Sequence, residues 1–270
     1  MKLFYGLEAT STDRKMGYCE NVLISTASIY NMGRGKLRPL NPPVHERLFF
    51  DSGGFSFFSK FDEYPFDTRT YVEYCMDYDP FLVAVRDYPC EPGIARNLRS
   101  TNIERIEATI ANAQECMTFE APWIMVVQGY TPDEYRYCCQ RIRDEGLETE
   151  HLAIGTLCCR KKIAEARKII RIVHREFPNA KLHGFGIDLR FLKDPTIRTA
   201  LWSSDTQAWK WNGPETMQKD SGYFLPSCQA IKLENYRTYQ ASVDTILRRD
   251  DDQTSIRDFE AEFGIQGGGA

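Results

Sequence analysis

Short apolar runs bounded by polar or glycine residues recur along the chain at Val22–Ser25, Leu48–Asp51, Phe81–Val85, Trp123–Val127, His151–Gly155, Lys181–Phe185, Leu201–Ser204 and, more weakly, Gln229–Leu233. Continuous apolar runs of this length fit strands buried on both faces of a parallel sheet. Between several of them, apolar residues return every three or four positions, most clearly in Asn102–Thr118, Pro132–Glu145 and Lys161–Phe177. That spacing predicts amphipathic helices. Thr131 is placed to cap the middle one, with Pro132 at its first helical position. Strands alternating with helices predict an α/β protein, and eight of them favour a closed (β/α)8 TIM-type barrel over an open doubly wound sheet.

No internal repeat or linker divides the pattern, so residues 1–265 read as a single barrel domain. Residues 266–270, Gln-Gly-Gly-Gly-Ala, read as a flexible tail, after a charge run at Arg248–Gln253. The segment Asn31–His45, with Gly33, Gly35, Pro39, Pro42 and Pro43, reads as a long irregular loop that carries Arg34, Lys36 and Arg38. Loops of that size on barrels are often functional.

Composition narrows this little: 42% hydrophobic and 27% charged residues are ordinary for a globular protein. A net charge of −4 argues against a globally basic nucleic-acid binder but leaves room for a local basic face. Nine cysteines at irregular spacing, with no C-x-x-C pair and no apolar run of signal or membrane length, read as reduced, mostly buried thiols in a cytoplasmic protein. They form no pattern of metal ligands, and no membrane contact is expected.

The candidate strands end alike. Asp51-Ser52-Gly53-Gly54-Phe55 follows the run Leu48–Asp51; Asp87, Gln128-Gly129, Gly155-Thr156, Gly184 with Gly186, and Asp205 follow the next five. In a barrel these ends converge on the C-terminal rim, where catalytic groups sit. Carboxylates beside an amide and glycine-lined walls suit the edge of a planar heterocycle such as guanine, with Asp51 and Asp205 left over for nucleophilic and proton-transfer work. The Gly53-Gly54 pair alone reads equally well as a tight turn.

The set DSGGF at 51–55, VVQG at 126–129, LAIGTL at 152–157, HGFG at 183–186 and SSDTQAW at 203–209 resembles the tRNA-guanine transglycosylase superfamily. It is most similar to the DNA-acting DpdA-type branch, some of it phage-encoded, which inserts 7-deazaguanine bases into DNA. The resemblance implies a barrel that exchanges guanine for a free 7-deazaguanine base, with DNA as the polymer and tRNA as the alternative, and without redox cofactor or nucleoside triphosphate; the other reading, a non-catalytic nucleic-acid-binding barrel subunit, has no need of the second acid that Asp51 and Asp205 supply. The resemblance assigns Asp205 as the nucleophile and Asp51 as the general acid/base. It assigns Asp87 to the N1 and exocyclic amine of the base, with Ser52, Gln128, Gly129, Gly155, Thr156 and Leu157 completing the pocket.

Three departures matter. The three cysteines and one histidine that hold zinc in the tRNA enzymes have only Cys228 in the corresponding region, so no zinc subdomain is expected. The usual Gly-Gly after the fifth candidate strand is Gly155-Thr156, and His183, which also reads as a core histidine, precedes Gly184. Arg34, Lys36, Arg38, Arg96, Arg99, Arg160, Lys161 and Lys162 fall on loops expected at the rim and read either as phosphate contacts or as solvated surface. Trp209 and Trp211 read either as base-stacking residues or as core.

Overall fold

The computed structural model describes residues 1–9, 11–14, 16–94, 99–210 and 228–248, with backbone alone at 11–12 and 228–232. Eight parallel strands close a barrel in the order β1 (Lys2–Leu7), β10 (Ser203–Thr206), β9 (Lys181–Gly184), β8 (His151–Ile154), β7 (Trp123–Val127), β6 (Leu82–Ala84), β5 (Arg47–Asp51) and β2 (Asn21–Ser25). The remaining strands, β3 (Tyr30–Asn31) and β4 (Lys36–Leu37), pair antiparallel outside the barrel. They give the early loop a short hairpin that holds Arg34 at its turn.

Seven of the expected strands are present. The eighth is not: Gln229–Leu233 lies inside the helix Cys228–Arg248, and β1 closes the barrel in its place. Tyr236, Tyr239, Val243 and Ile246 repeat at helical spacing and are buried, with the Tyr236 ring 4.9 Å from Tyr5 and 5.8 Å from Trp209. In β1 the apolar run is interrupted by Gly6. A Cβ there would lie 2.4 Å from the Gln207 side chain, so glycine lets the rim segment after β10 lie across the strand.

The helices start as the sequence dictates. Thr101 with Glu104 and Thr131 with Glu134 form reciprocal capping boxes at Asn102–Cys116 and Pro132–Asp144. Inside the barrel, Phe4, Phe49, His183 and Phe185 pack edge to edge, with Phe4–Phe49 at 5.6 Å and Phe49–His183 at 5.0 Å, and plug the lumen below the C-terminal rim. Of the eight cysteines with described side chains, six are buried as small apolar residues; Cys158 and Cys159 are exposed. No helix among the described residues is long and apolar enough to cross a membrane. Arg96, Trp211, the Cys228 side chain, positions 249–253 of the charge run and the expected tail at 266–270 lie outside the described residues.

Candidate active site

A cavity of about 460 Å³ opens at the C-terminal rim, within the size range of small-ligand sites. Asp51, Asp87, Gln128, Gly155, Thr156 and Asp205 all line it. The barrel brings them together because they sit at or just past the C-terminal ends of five strands, β5, β6, β7, β8 and β10, with Gly155 and Thr156 both after β8.

Asp87 is held by its neighbours. Its Oδ1 accepts from Ser52 Oγ at 2.6 Å and its Oδ2 from Gln128 Nε2 at 2.5 Å, while its backbone carbonyl accepts from the Tyr64 hydroxyl at 2.6 Å. Gln128 Oε1 in turn accepts from Thr156 Oγ1 at 3.0 Å. The chain Ser52–Asp87–Gln128–Thr156 fixes an acceptor and an amide side by side. Burial pushes the Asp87 carboxyl above its usual range, partly offset by the Ser52 and Gln128 hydrogen bonds.

Asp51 ends β5 with its carboxyl pushed up to about 7, first by burial and then by the charge of Asp87; hydrogen bonds from Ser25 and the Gly53 backbone act the other way. A carboxyl poised there both gives and takes a proton at neutral pH.

Asp205, in β10, is anchored by one oxygen. Its Oδ1 accepts from the Gly186 N–H at 2.7 Å and lies 3.4 Å from His183 Nε2, leaving Oδ2 to the cavity. Gly186 reaches it at φ 67°, a left-handed conformation suited to glycine. His183 is indeed in the core, fully buried and with Nδ1 2.8 Å from Ser203 Oγ, yet it also buttresses the Asp205 carboxylate.

Other residues expected in the pocket serve it from behind. Ser52 is fully buried under Asp87. Gly129 sits where a Cβ would come within 2.9 Å of the Tyr135 backbone nitrogen, so it permits helix packing, and it does not line the cavity. The Leu157 side chain is buried in the core. Gly155 does line the cavity, but its N–H bonds Val127 O and its carbonyl accepts from Tyr135, so it contributes space for the Gln128 amide and no free ladder group. The Gly53-Gly54 pair is likewise a device of packing. Gly53 turns at φ 81° against Ala27, and a Cβ on Gly54 would meet Asp87 O at 2.6 Å. The glycines bring protein backbone together and do not form the flat wall that a base would meet.

Sequence reasoning missed Glu91, Tyr64 and Lys210. Glu91 lines the cavity, Tyr64 ties Ser52 to Asp87, and Lys210 lines the mouth, with Nζ 3.3 Å from Glu8 Oε1. For Glu91 a signal existed: it is an acid four residues beyond Asp87 on the same rim loop.

The family model described as "DpdA: DeoxyPurine in DNA protein A" matches residues 20–251. The chain belongs to the DpdA family. It is thus a DNA-modifying transglycosylase with a TIM-type barrel, and DNA is its substrate. A comparison with curated proteins gives no match.

The DpdA barrel presents its cations unevenly. Arg34 and Lys36 on the β3–β4 hairpin and Lys161 after β8 are exposed, as a phosphate contact requires. Arg38 is exposed too, but its guanidinium donates to Ser28 O and Ile29 O and pins the hairpin to the barrel. Arg160 corrects the expectation of a free phosphate contact: it is buried, donates to Tyr130 O and lies over the Tyr130 ring at 4.5 Å. Trp209 is core as well, 1% exposed against Tyr236, and is not presented to a base. Among the described residues no three His, Cys, Asp or Glu side chains gather as a metal ion would require.

Proposed function

We propose that the protein exchanges guanine in DNA for a 7-deazaguanine derivative such as 7-cyano-7-deazaguanine, through a covalent bond between Asp205 and the deoxyribose. The observation that carries this reading is the pairing, in one cavity, of a carboxylate anchored by one oxygen with a second carboxyl held near neutrality. Asp205 Oδ2 attacks C1′ as the C1′–N9 bond breaks, and the electron pair leaves with guanine, which takes a proton from Asp51. Guanine then departs. The incoming base gives its N9 proton back to Asp51 and displaces Asp205 from C1′, so the exchange is ping-pong. Asp87 accepts from N1–H and the exocyclic amine, and the Gln128 amide donates to O6. A cavity of this size takes one base and no duplex, so the target nucleotide is extruded from the stack at a cost of a few kcal/mol.

Incubation with labelled guanine and either duplex DNA or tRNA tests the reading. Label entering duplex DNA and leaving again on chase with unlabelled 7-deazaguanine bases is the expected result. Label in tRNA alone overturns the choice of polymer, and label in neither overturns base exchange.

A further inference from the structure

The rim carries an element that the exchange chemistry leaves unused, the β3–β4 hairpin. It grows out of the mouth of the cavity: Ala27 and Ser28, in the short helix Thr26–Ile29 after β2, line the cavity, and β3 begins at Tyr30. The finger is anchored at its base. Arg38 donates to Ser28 O and Ile29 O, and the Tyr30 ring packs 5.8 Å from Phe57 and 5.9 Å from Phe66. At the tip the Arg34 N–H closes the turn on Asn31 O at 3.1 Å. Inside that turn Met32 is 63% exposed, followed by Gly33, with the exposed cations Arg34 and Lys36 just beyond.

An apolar side chain held out into water at the tip of an anchored finger gains nothing from folding. The two cations beside it suit phosphates. Met32 lies four residues past Ser28, so at about 3.3 Å per residue it stands no more than about 13 Å from the mouth, close to the roughly 12 Å width of a major groove. A duplex that delivers a nucleotide into the cavity therefore runs within reach of the tip.

We propose that Met32 enters the base stack of duplex DNA beside the target nucleotide and fills the space it leaves on extrusion, with Arg34 and Lys36 on the flanking phosphates. This rests on the base-exchange reading, which needs the nucleotide out of the stack. Methionine is apolar, unbranched and adaptable, and it belongs to the side chains that wedge between base steps in DNA-bending proteins. A wedge offsets the loss of stacking only where there is a stack to replace, so it acts on the duplex and not on a single strand.

The test measures kcat/KM for guanine exchange into duplex DNA and into the single strand of the same sequence, for the wild type, Met32→Ala and Met32→Leu. Met32→Ala is expected to lower the duplex-to-single-strand ratio at least tenfold, whereas Met32→Leu, which keeps an apolar wedge, holds it within about threefold. Equal losses on the two substrates in Met32→Ala make Met32 a general contact of the turn, and an unaltered ratio in both variants makes it plain exposed surface; either overturns the inference. A second readout needs no turnover. With 2-aminopurine placed beside the target guanine, fluorescence rises on binding as stacking is lost, and Met32→Ala is expected to reduce that rise by more than half; an equal rise overturns the wedge. Absence of exchange by the wild type on both substrates sinks the base-exchange reading, and the fluorescence then decides the wedge by itself.

Discussion

At the N-terminal end of the barrel Phe81 stacks on Trp202 at 6.0 Å, His151 meets the same indole edge-on at 4.7 Å and Lys2 lies over it at 5.1 Å, whereas at the C-terminal end Asp51, Asp87, Glu91 and Asp205 share one cavity. The first end gathers groups that gain from meeting. The second crowds carboxyls whose charged forms lose solvation and repel each other. It also holds Thr156, a β-branched residue, at φ 59°. Arrangements that cost folding energy persist where the surrounding structure over-determines them, and the capped helices and apolar plug beneath the rim supply that support. The comparison assigns chemistry to one end and stability to the other, and substitutions at each end separate the two.

The largest effect is expected from Asp205→Ala. It removes the group proposed to bond C1′, so the covalent protein–DNA adduct disappears from denaturing gels and exchange falls by about a thousandfold or more. Wild-type adduct in this variant removes Asp205 as nucleophile. Next comes Asp51→Asn, which leaves the shape of the site intact but blocks proton transfer and slows exchange about a hundredfold.

The same Asp51 variant has a second signature, in stability. The folded-state value of about 7 lies above the ordinary 3.8, so between these the folded protein binds more protons than the unfolded chain. The wild type therefore has the full benefit of this group below about pH 4 and loses it as pH rises through 7. Asp51→Asn is exempt, and its stability relative to wild type improves by about 1–3 kcal/mol between pH 5 and pH 8. Urea unfolding at the two pH values checks the sign. Glu91, raised in the same direction, leaves a residual slope in both proteins.

Thr156→Gly is expected to cost less. Glycine relieves the left-handed strain, of order 1–2 kcal/mol, but gives up the hydroxyl contact to Gln128 and adds freedom to the unfolded chain, about 1 kcal/mol each. Stability thus moves by about 1 kcal/mol or less while kcat/KM drops about tenfold, because the Gln128 amide loses its anchor. A comparable loss in both measurements makes Thr156 a folding residue only.

Most of the barrel was legible in the sequence because parallel strands buried on both faces leave unbroken apolar runs, and the Thr-x-x-Glu starts of two helices are local signals. The strand containing Gly6 was not legible. Its interruption answers a contact with Gln207, two hundred residues away, while Ala230 and Ile231 mimicked a strand inside a helix whose period shows only over Tyr236, Tyr239, Val243 and Ile246. At the site, six of the residues that touch the cavity, Asp51, Asp87, Gln128, Gly155, Thr156 and Asp205, stood at or near strand ends and were legible there. Their supports were harder: whether Ser52 or Leu157 faces a ligand or the core depends on which way the rim turns, and Arg160 and Trp209 are buried by tertiary packing that no local pattern announces. Glu91 was overlooked because an acid in a loop is ordinarily solvated.

The smallest effect on exchange is expected at the opposite end. Trp202→Leu removes the stack on Phe81, the edge contact with His151 and the Lys2 cation over the indole, leaving space that leucine fills only in part. For a partly exposed aromatic this costs about 2 kcal/mol, which lowers the melting temperature by roughly 4–8 °C. The strands that carry Asp51 and Asp205 are still held above it by Phe4, Phe49 and His183, so exchange measured well below the melting temperature stays within about twofold of wild type. A tenfold loss at full folding would mean that the stack sets the register of β10, and with it the position of Asp205, in which case the two ends act as one unit.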